Sequence, residues 1–157
     1  MSCKILLVGT GITSAVTASC LHAKLKNSIS LVVWDKARGF GGRMSTSRSP
    51  FDSDCLADLG AQYITLSQEN FQQHRELYES LLSEKLLEPL CSKIEGLKSM
   101  PRGTQHFVAP NGMNSLVKYF FNSVLHKQLG LLYCKKNVNP WHNDSGEPKP
   151  TELVVAM

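Results

Sequence analysis

The sequence predicts an α/β fold built on a parallel sheet. Three observations point to it. The chain opens on an apolar run, Cys3-Lys4-Ile5-Leu6-Leu7-Val8, that is stopped by Gly9. Residues 12–25 then carry small side chains (Ala15, Thr17, Ala18, Ser19, Cys20) suited to a helix lying close against a sheet. A second apolar run, Ile29-Ser30-Leu31-Val32-Val33-Trp34, follows and ends at Asp35. Two strands joined by a helix of this length run parallel, because only a crossover returns the chain in the same direction.

The turn between the first strand and the helix is Gly9-Thr10-Gly11. Gly9 allows a sharp turn, and Gly11 lets a pyrophosphate approach the backbone where the helix start offers free N–H groups. Asp35, at the end of the second strand, stands where a carboxylate takes ribose hydroxyls. Strand, glycines, helix, strand and acid in this order form a Rossmann-type dinucleotide site. Beyond the acid come Gly41-Gly42-Arg43. FAD is long, and its pyrophosphate and ribityl chain call for a second backbone cradle and a cation past the first glycine turn. That feature favours a flavin over a nicotinamide dehydrogenase, in which Gly41-Gly42-Arg43 has no role.

The remaining elements follow in order. Residues 37–54, rich in Gly, Ser, Arg and Asp, read as loop, and Leu56 to Ile64 as a mixed segment. A helix is expected from about Glu69 to Leu87, with Ser67 near its cap and Phe71, Leu77, Tyr78, Leu81 and Leu82 on one face. Residues 88–105, with two prolines and two glycines, read as irregular. Phe107 to Gly112 form a short strand and turn. The next segment places Met113, Leu116, Val117, Phe120, Phe121, Val124 and Leu125 at helical spacing, a core-facing stripe, with Gly130 as its C′ residue. Leu131 to Lys135 and the apolar Leu153-Val154-Val155-Ala156-Met157 read as strands. The second, ending on a core-type strand, leads us to expect a C-terminally incomplete chain.

At 157 residues and 42% hydrophobic, the chain can bury one ordinary core. Its net charge of +4 is unevenly placed: residues 1–48 carry seven Lys/Arg against one Asp, and residues 49–157 carry ten against twelve acids. The basic start could draw a phosphate-bearing ligand, but no aromatic interleaving points to nucleic acid. The five cysteines (Cys3, Cys20, Cys55, Cys91, Cys134) are scattered, without a C-x-x-C pair. They argue against a disulfide framework and against structural zinc, so no metal is expected and a cytoplasmic setting is the default. No run approaches a membrane span.

Taken together, Val33-Trp34-Asp35-Lys36, Gly41-Gly42-Arg43-Met44, Ala57-Asp58-Leu59-Gly60-Ala61-Gln62-Tyr63-Ile64-Thr65, Ile94-Glu95-Gly96 and Phe107-Val108-Ala109-Pro110 resemble the renalases, members of the flavin amine oxidase superfamily. The resemblance extends to about residue 138. It implies a Rossmann-type FAD-binding βαβ over residues 1–65, the beginning of an α+β substrate domain over 66–110, and a return to the FAD domain over 111–157, incomplete at the C-terminus. FAD is then expected across Gly9, Gly11, Ile12, Thr13, Asp35, Lys36, Gly42 and Arg43. Gln62 and Tyr63 would run beside the flavin ring, and Val138 would meet the adenine through its backbone. The implied chemistry is oxidation of isomeric dihydronicotinamide dinucleotides to NAD(P)+, with O2 reduced to H2O2; the resemblance also admits secretion.

Ser14 departs from the pattern, which expects a third Gly or Ala there. A hydroxymethyl that bonds back to a helix carbonyl costs about 1 kcal/mol rather than abolishing the fold. With the expected truncation, activity in this chain should be weak or lost. The alternative is a non-catalytic nucleotide-binding or protein-interaction form. No acid–base residue is assigned: Asp58 and Gln62 are candidates by position, and Asp58, beside Gly60, suits a turn-capping role better.

Overall fold

The computed structural model describes residues 3–37, 39–97, 99–125, 129–131 and 153–156. The chain divides into two compact units, Met1–Gly42 with Val117–Met157, and Arg43–Leu116.

The first unit holds a parallel sheet. Strand β1 (Cys3–Val8) pairs with β2 (Ile29–Trp34), with Ile5 opposite Leu31 and Leu7 opposite Val33. Helix α1 (Ile12–Leu25) makes the crossover between them. Ala15 and Ala18 are fully buried on this helix, as are Leu6 and Leu7 on β1 to within a few percent. Small residues on the helix therefore meet branched residues on the strands, the pairing that lets a helix lie close to a sheet. Further along the chain, Leu129–Leu131 pairs parallel with β2, and Leu153–Ala156 pairs parallel with β1. The sheet is ordered β8-β2-β1-β9, where β8 and β9 are these two late strands. Phe121 is fully buried in this unit, its ring 5.2 Å from that of Phe40. The α/β fold and the parallel β1-α1-β2 unit read from the sequence are what the structure contains.

In the second unit, β3 (Thr46–Arg48) and β4 (Leu56–Asp58) form an antiparallel hairpin. Residues 37–54 are thus not all loop. The pairs are Thr46 with Asp58, Ser47 with Ala57 and Arg48 with Leu56, so the apolar alternation that marks a strand is missing. A separate three-stranded sheet orders β5 (Ile64–Leu66), β7 (Gln105–Val108) and β6 (Glu88–Pro89) as β5-β7-β6. Residues 88–89 and 105 are strand where irregular chain was expected. The expected helix 69–87 is two helices, α2 (Gln68–Gln73) and α3 (Arg75–Ser83), broken at His74, whose φ of −120° is not helical. Ser67 caps α2 by accepting from the Asn70 N–H at 3.2 Å. The second helix stops early because Lys85 turns left-handed at φ 56°. Its N–H bonds the Leu82 carbonyl and the Leu86 N–H bonds that of Leu81, a Schellman termination built without glycine. Of the expected helix face, Leu81 is buried and Tyr78 stacks on Phe107 at 6.3 Å, but Leu77 is exposed.

Helix α4 (Asn114–Leu125) begins in the second unit and continues into the first. Leu116, Val117, Phe120, Phe121 and Val124 are all buried, so the stripe is core. Gly130 is not its C′ residue: it lies inside β8, paired to Val32. That strand begins two residues earlier than expected, and residues 132–135 lie outside the described residues.

Candidate functional site

The glycine turn is built from backbone bonds. Gly9 sits at φ 100°, a conformation that disfavours any residue with a Cβ, and its N–H donates to the Trp34 carbonyl at 2.6 Å. This ties the end of β1 to the end of β2, so the turn and Asp35 arrive side by side. Gly11 is the N-cap of α1 with ordinary extended backbone, φ −77° and ψ 177°. No side chain caps this helix at Gly11 and its first turn holds no acid, so no carboxylate in that turn offsets the positive end of the helix. A Cβ at Gly11 would meet nothing within 4 Å. The space over the turn is open.

The Gly41-Gly42 segment lies against this turn. The Gly41 N–H donates to the Thr10 carbonyl at 2.9 Å, and Gly41 forms a parallel bridge with Gly11. Gly42, at φ 53°, approaches so closely that its own Cβ would stand 3.5 Å from Gly11 Cα. Two glycine segments thirty residues apart in the chain thus lie against each other, Gly41 buried in the contact, Gly9 and Gly11 half-buried and Gly42 exposed. Ile12 and Thr13 are the first residues of α1, half-buried and exposed respectively, and Lys36 is exposed beside Asp35.

Asp35 is more engaged than the sequence suggests. Its Oδ2 accepts from the Thr10 N–H at 2.6 Å and from the Thr10 hydroxyl, and Oδ1 accepts from the Ala37 N–H at 2.8 Å. Burial opposes ionisation, but these three hydrogen bonds and the Lys36 charge together outweigh it and hold the carboxyl below the ordinary aspartate value. A depressed folded value stabilises the protein above the unfolded value, about pH 3.9, and this contribution is lost as pH falls through the folded one. Asp35→Asn should therefore flatten the acid limb of a thermal-stability profile below about pH 4. Parallel limbs for the two proteins would show that the carboxylate is not held in this way.

Thr10 is the residue of this turn that sequence reasoning passed over. The sequence assigns it no role, yet it is only 2% exposed and contributes two donors to Asp35. The available signal is a hydroxyl-bearing residue between the two glycines of the turn. Ser14 is buried, and fully buried Ala15 follows it.

In the second unit, Arg43 is exposed and its carbonyl accepts from the Ala61 N–H at 2.9 Å. Gly60 fits against the same carbonyl, where a Cβ would overlap the oxygen and stand 3.1 Å from the carbon. Gln62 is exposed; Tyr63 is half-buried, edge-on to His106 at 5.8 Å between ring centres. His106 in turn bonds Thr65 through Nδ1 at 3.0 Å. Asp58 accepts from the Met113 N–H at 3.0 Å and from the Thr46 hydroxyl, which itself accepts from the Asn114 N–H at 3.0 Å. Both side chains thereby cap α4, a structural use of Asp58. Val138 lies outside the described residues. Among the described residues, no group of three His, Cys, Asp or Glu converges on a metal position, and no helix is long and apolar enough to cross a membrane. Cys3, Cys20, Cys55 and Cys91 are exposed free thiols.

Comparison with known proteins bears on this arrangement. Residues 7–81, which include the glycine turn, Asp35 and the second glycine segment, match the NAD(P)-binding Rossmann-like domain. Renalase of Mus musculus is 37% identical over 158 aligned residues, covering 97% of this chain. The chain is a renalase homologue. It spans 46% of that relative's length. Among solved structures, a protoporphyrinogen oxidase candidate from an Exiguobacterium species superposes on 59% of this chain and 19% of its own, at 17% identity and a TM-score of 0.42. The peptidyl tryptophan dihydroxylase QhpG covers 99% and 32%, at 13% identity and a TM-score of 0.47. Both are too distant to inform the chemistry.

Proposed function

We propose that this chain carries the cofactor-binding part of a renalase-type, FAD-dependent oxidoreductase. The observation that supports it most directly is the bridge of Gly41-Gly42 onto Gly9-Thr10-Gly11, with open space over Gly11. A nicotinamide site uses the first turn alone; a second glycine segment docked on it extends the exposed backbone in the way a longer dinucleotide requires.

The residues present fit the group. Gly11, Gly42 and the uncapped start of α1, with Ile12 and Thr13, would receive the pyrophosphate, and Asp35 with Lys36 would take the ribose end. Arg43 would supply the cation, Gln62 and Tyr63 would run beside the ring, and Val138 would meet the adenine. When bound, FAD supplies the hydride acceptor and the centre that reacts with O2; the protein contributes binding and orientation. Within this reading residues 1–65 and 111–157 serve the cofactor domain and 66–110 open the substrate domain. The substrates are dihydronicotinamide dinucleotides reduced at the wrong ring carbon, returned to NAD(P)+. The chain spans 46% of the renalase relative's length, and on this reading residues 1–157 alone turn over weakly or not at all.

The test is a near-ultraviolet and visible spectrum of the purified chain, before and after FAD is added and the excess removed. A retained, perturbed flavin band is expected. Sustained turnover of isomeric dihydronicotinamides by the same protein would overturn the claim of weak activity, and a chain that never retains flavin would overturn the cofactor assignment. A second reading, a non-catalytic interaction protein, draws on Phe51 and Leu59, large apolar side chains that are 97% and 76% exposed. It predicts no retained flavin.

A further inference from the structure

We propose that Thr10 is a specificity-determining residue of the nucleotide site, which by placing both its N–H and its hydroxyl on Asp35 Oδ2 leaves only Oδ1 to take a ribose hydroxyl. The inference rests on the nucleotide-binding reading above.

A carboxylate oxygen accepts two hydrogen bonds well in its plane. Oδ2 has both from Thr10, and Oδ1 has one from the Ala37 N–H at 2.8 Å. One acceptor position therefore remains where an unencumbered carboxylate would offer two to a ribose diol. The hydroxyl is not free to turn aside when a ligand enters. Thr10 is 2% exposed, and a buried hydroxyl that gives up its acceptor without another is left unsatisfied. The pair is held from three sides besides: the Gly9 N–H is bonded to Trp34, the Thr10 carbonyl to Gly41, and Asp35 to Ala37. The site is thus preset to bind a ribose through a single hydroxyl, and either the 2′ or the 3′ oxygen satisfies it.

The consequence is a weak preference for ribose over 2′-deoxyribose. Binding of ADP and 2′-deoxy-ADP to the full chain, measured by calorimetry, should differ by no more than about threefold. Thr10→Val keeps the shape of the side chain and removes the hydroxyl donor, which frees one of the two acceptor positions on Oδ2 while the backbone N–H keeps the other. It should open a preference for ADP of about tenfold, the effect of one added hydrogen bond to a charged acceptor. Thr10→Ser retains the hydroxyl and should behave as the native chain, and Thr10→Ala replaces the valine variant if that protein does not fold. A second readout needs no ligand: the Asp35 carboxyl followed by NMR should titrate higher in Thr10→Val and unchanged in Thr10→Ser. ADP binding with the same ratio in all variants overturns the proposal alone, as does a carboxyl titration indifferent to the valine. Absence of ADP binding in every variant overturns the nucleotide reading itself, and the proposal with it.

Discussion

Gly60→Ala is expected to destabilise the protein by about 3 kcal/mol, near the upper end of what overpacking a close contact costs. The added methyl would overlap the Arg43 carbonyl oxygen and press on the carbon behind it at 3.1 Å. Those are backbone atoms and cannot rotate away. The same carbonyl is the acceptor for the Ala61 N–H, so relieving the clash also gives up that hydrogen bond. For a chain of this length, a loss of that size lowers Tm by roughly 6–12 °C. Thermal unfolding followed by circular dichroism reads it directly, and a shift under about 2 °C would mean that the turn relaxes at little cost. Because Arg43, Gln62 and Tyr63 flank this contact, any flavin retained by the native chain should be released from the variant with the same stability loss.

The Gly60 contact also shows what a sequence can and cannot reveal. Gly60 was visible as part of the Ala57–Thr65 block, but nothing in the residues around it names Arg43 as its neighbour, seventeen positions earlier. The parallel β1-α1-β2 unit was readable because its signals are local: apolar runs for the strands, and Ala15 and Ala18 for the helix that lies on them. The stripe of α4 was readable for the same reason. The β3–β4 hairpin was not, because its cross-strand pairs are Thr46 with Asp58 and Ser47 with Ala57, which bury little and alternate nothing. The break at His74 and the end of α3 at Lys85 were missed because neither carries a glycine or proline where the backbone departs from helix.

In the site the division runs the same way. Gly9, Gly11, Asp35 and Gly42 announce themselves by type and order. The bridge that joins the two glycine segments, and the two bonds from Thr10 to Asp35, are tertiary facts that no spacing rule contains. Asp58 is the converse case. A carboxylate beside a glycine reads as a turn cap, whereas its partner is the Met113 N–H at the head of a helix fifty-five residues away.

Gly11→Val separates the site from the fold. Unlike Gly60, Gly11 holds a backbone conformation, φ −77° and ψ 177°, that any residue adopts, and a Cβ there meets nothing within 4 Å. Valine is a poorer N-cap than glycine, so a stability loss of about 1 kcal/mol, or roughly 2–4 °C in Tm, is expected and no more. The branched side chain would nonetheless stand in the open space over the turn, between an incoming pyrophosphate and the N–H groups at the start of α1. Affinity for FAD and for its ADP moiety should fall at least about a hundredfold, since the close approach of phosphate to backbone is the contact that glycine permits. Gly60→Ala should thus lose stability first and ligand as a consequence, while Gly11→Val loses ligand with its fold nearly intact. If the valine protein binds ADP as tightly as the native chain does, the pyrophosphate does not pass over this turn, and the placement of the cofactor on Gly11 and Gly42 is wrong.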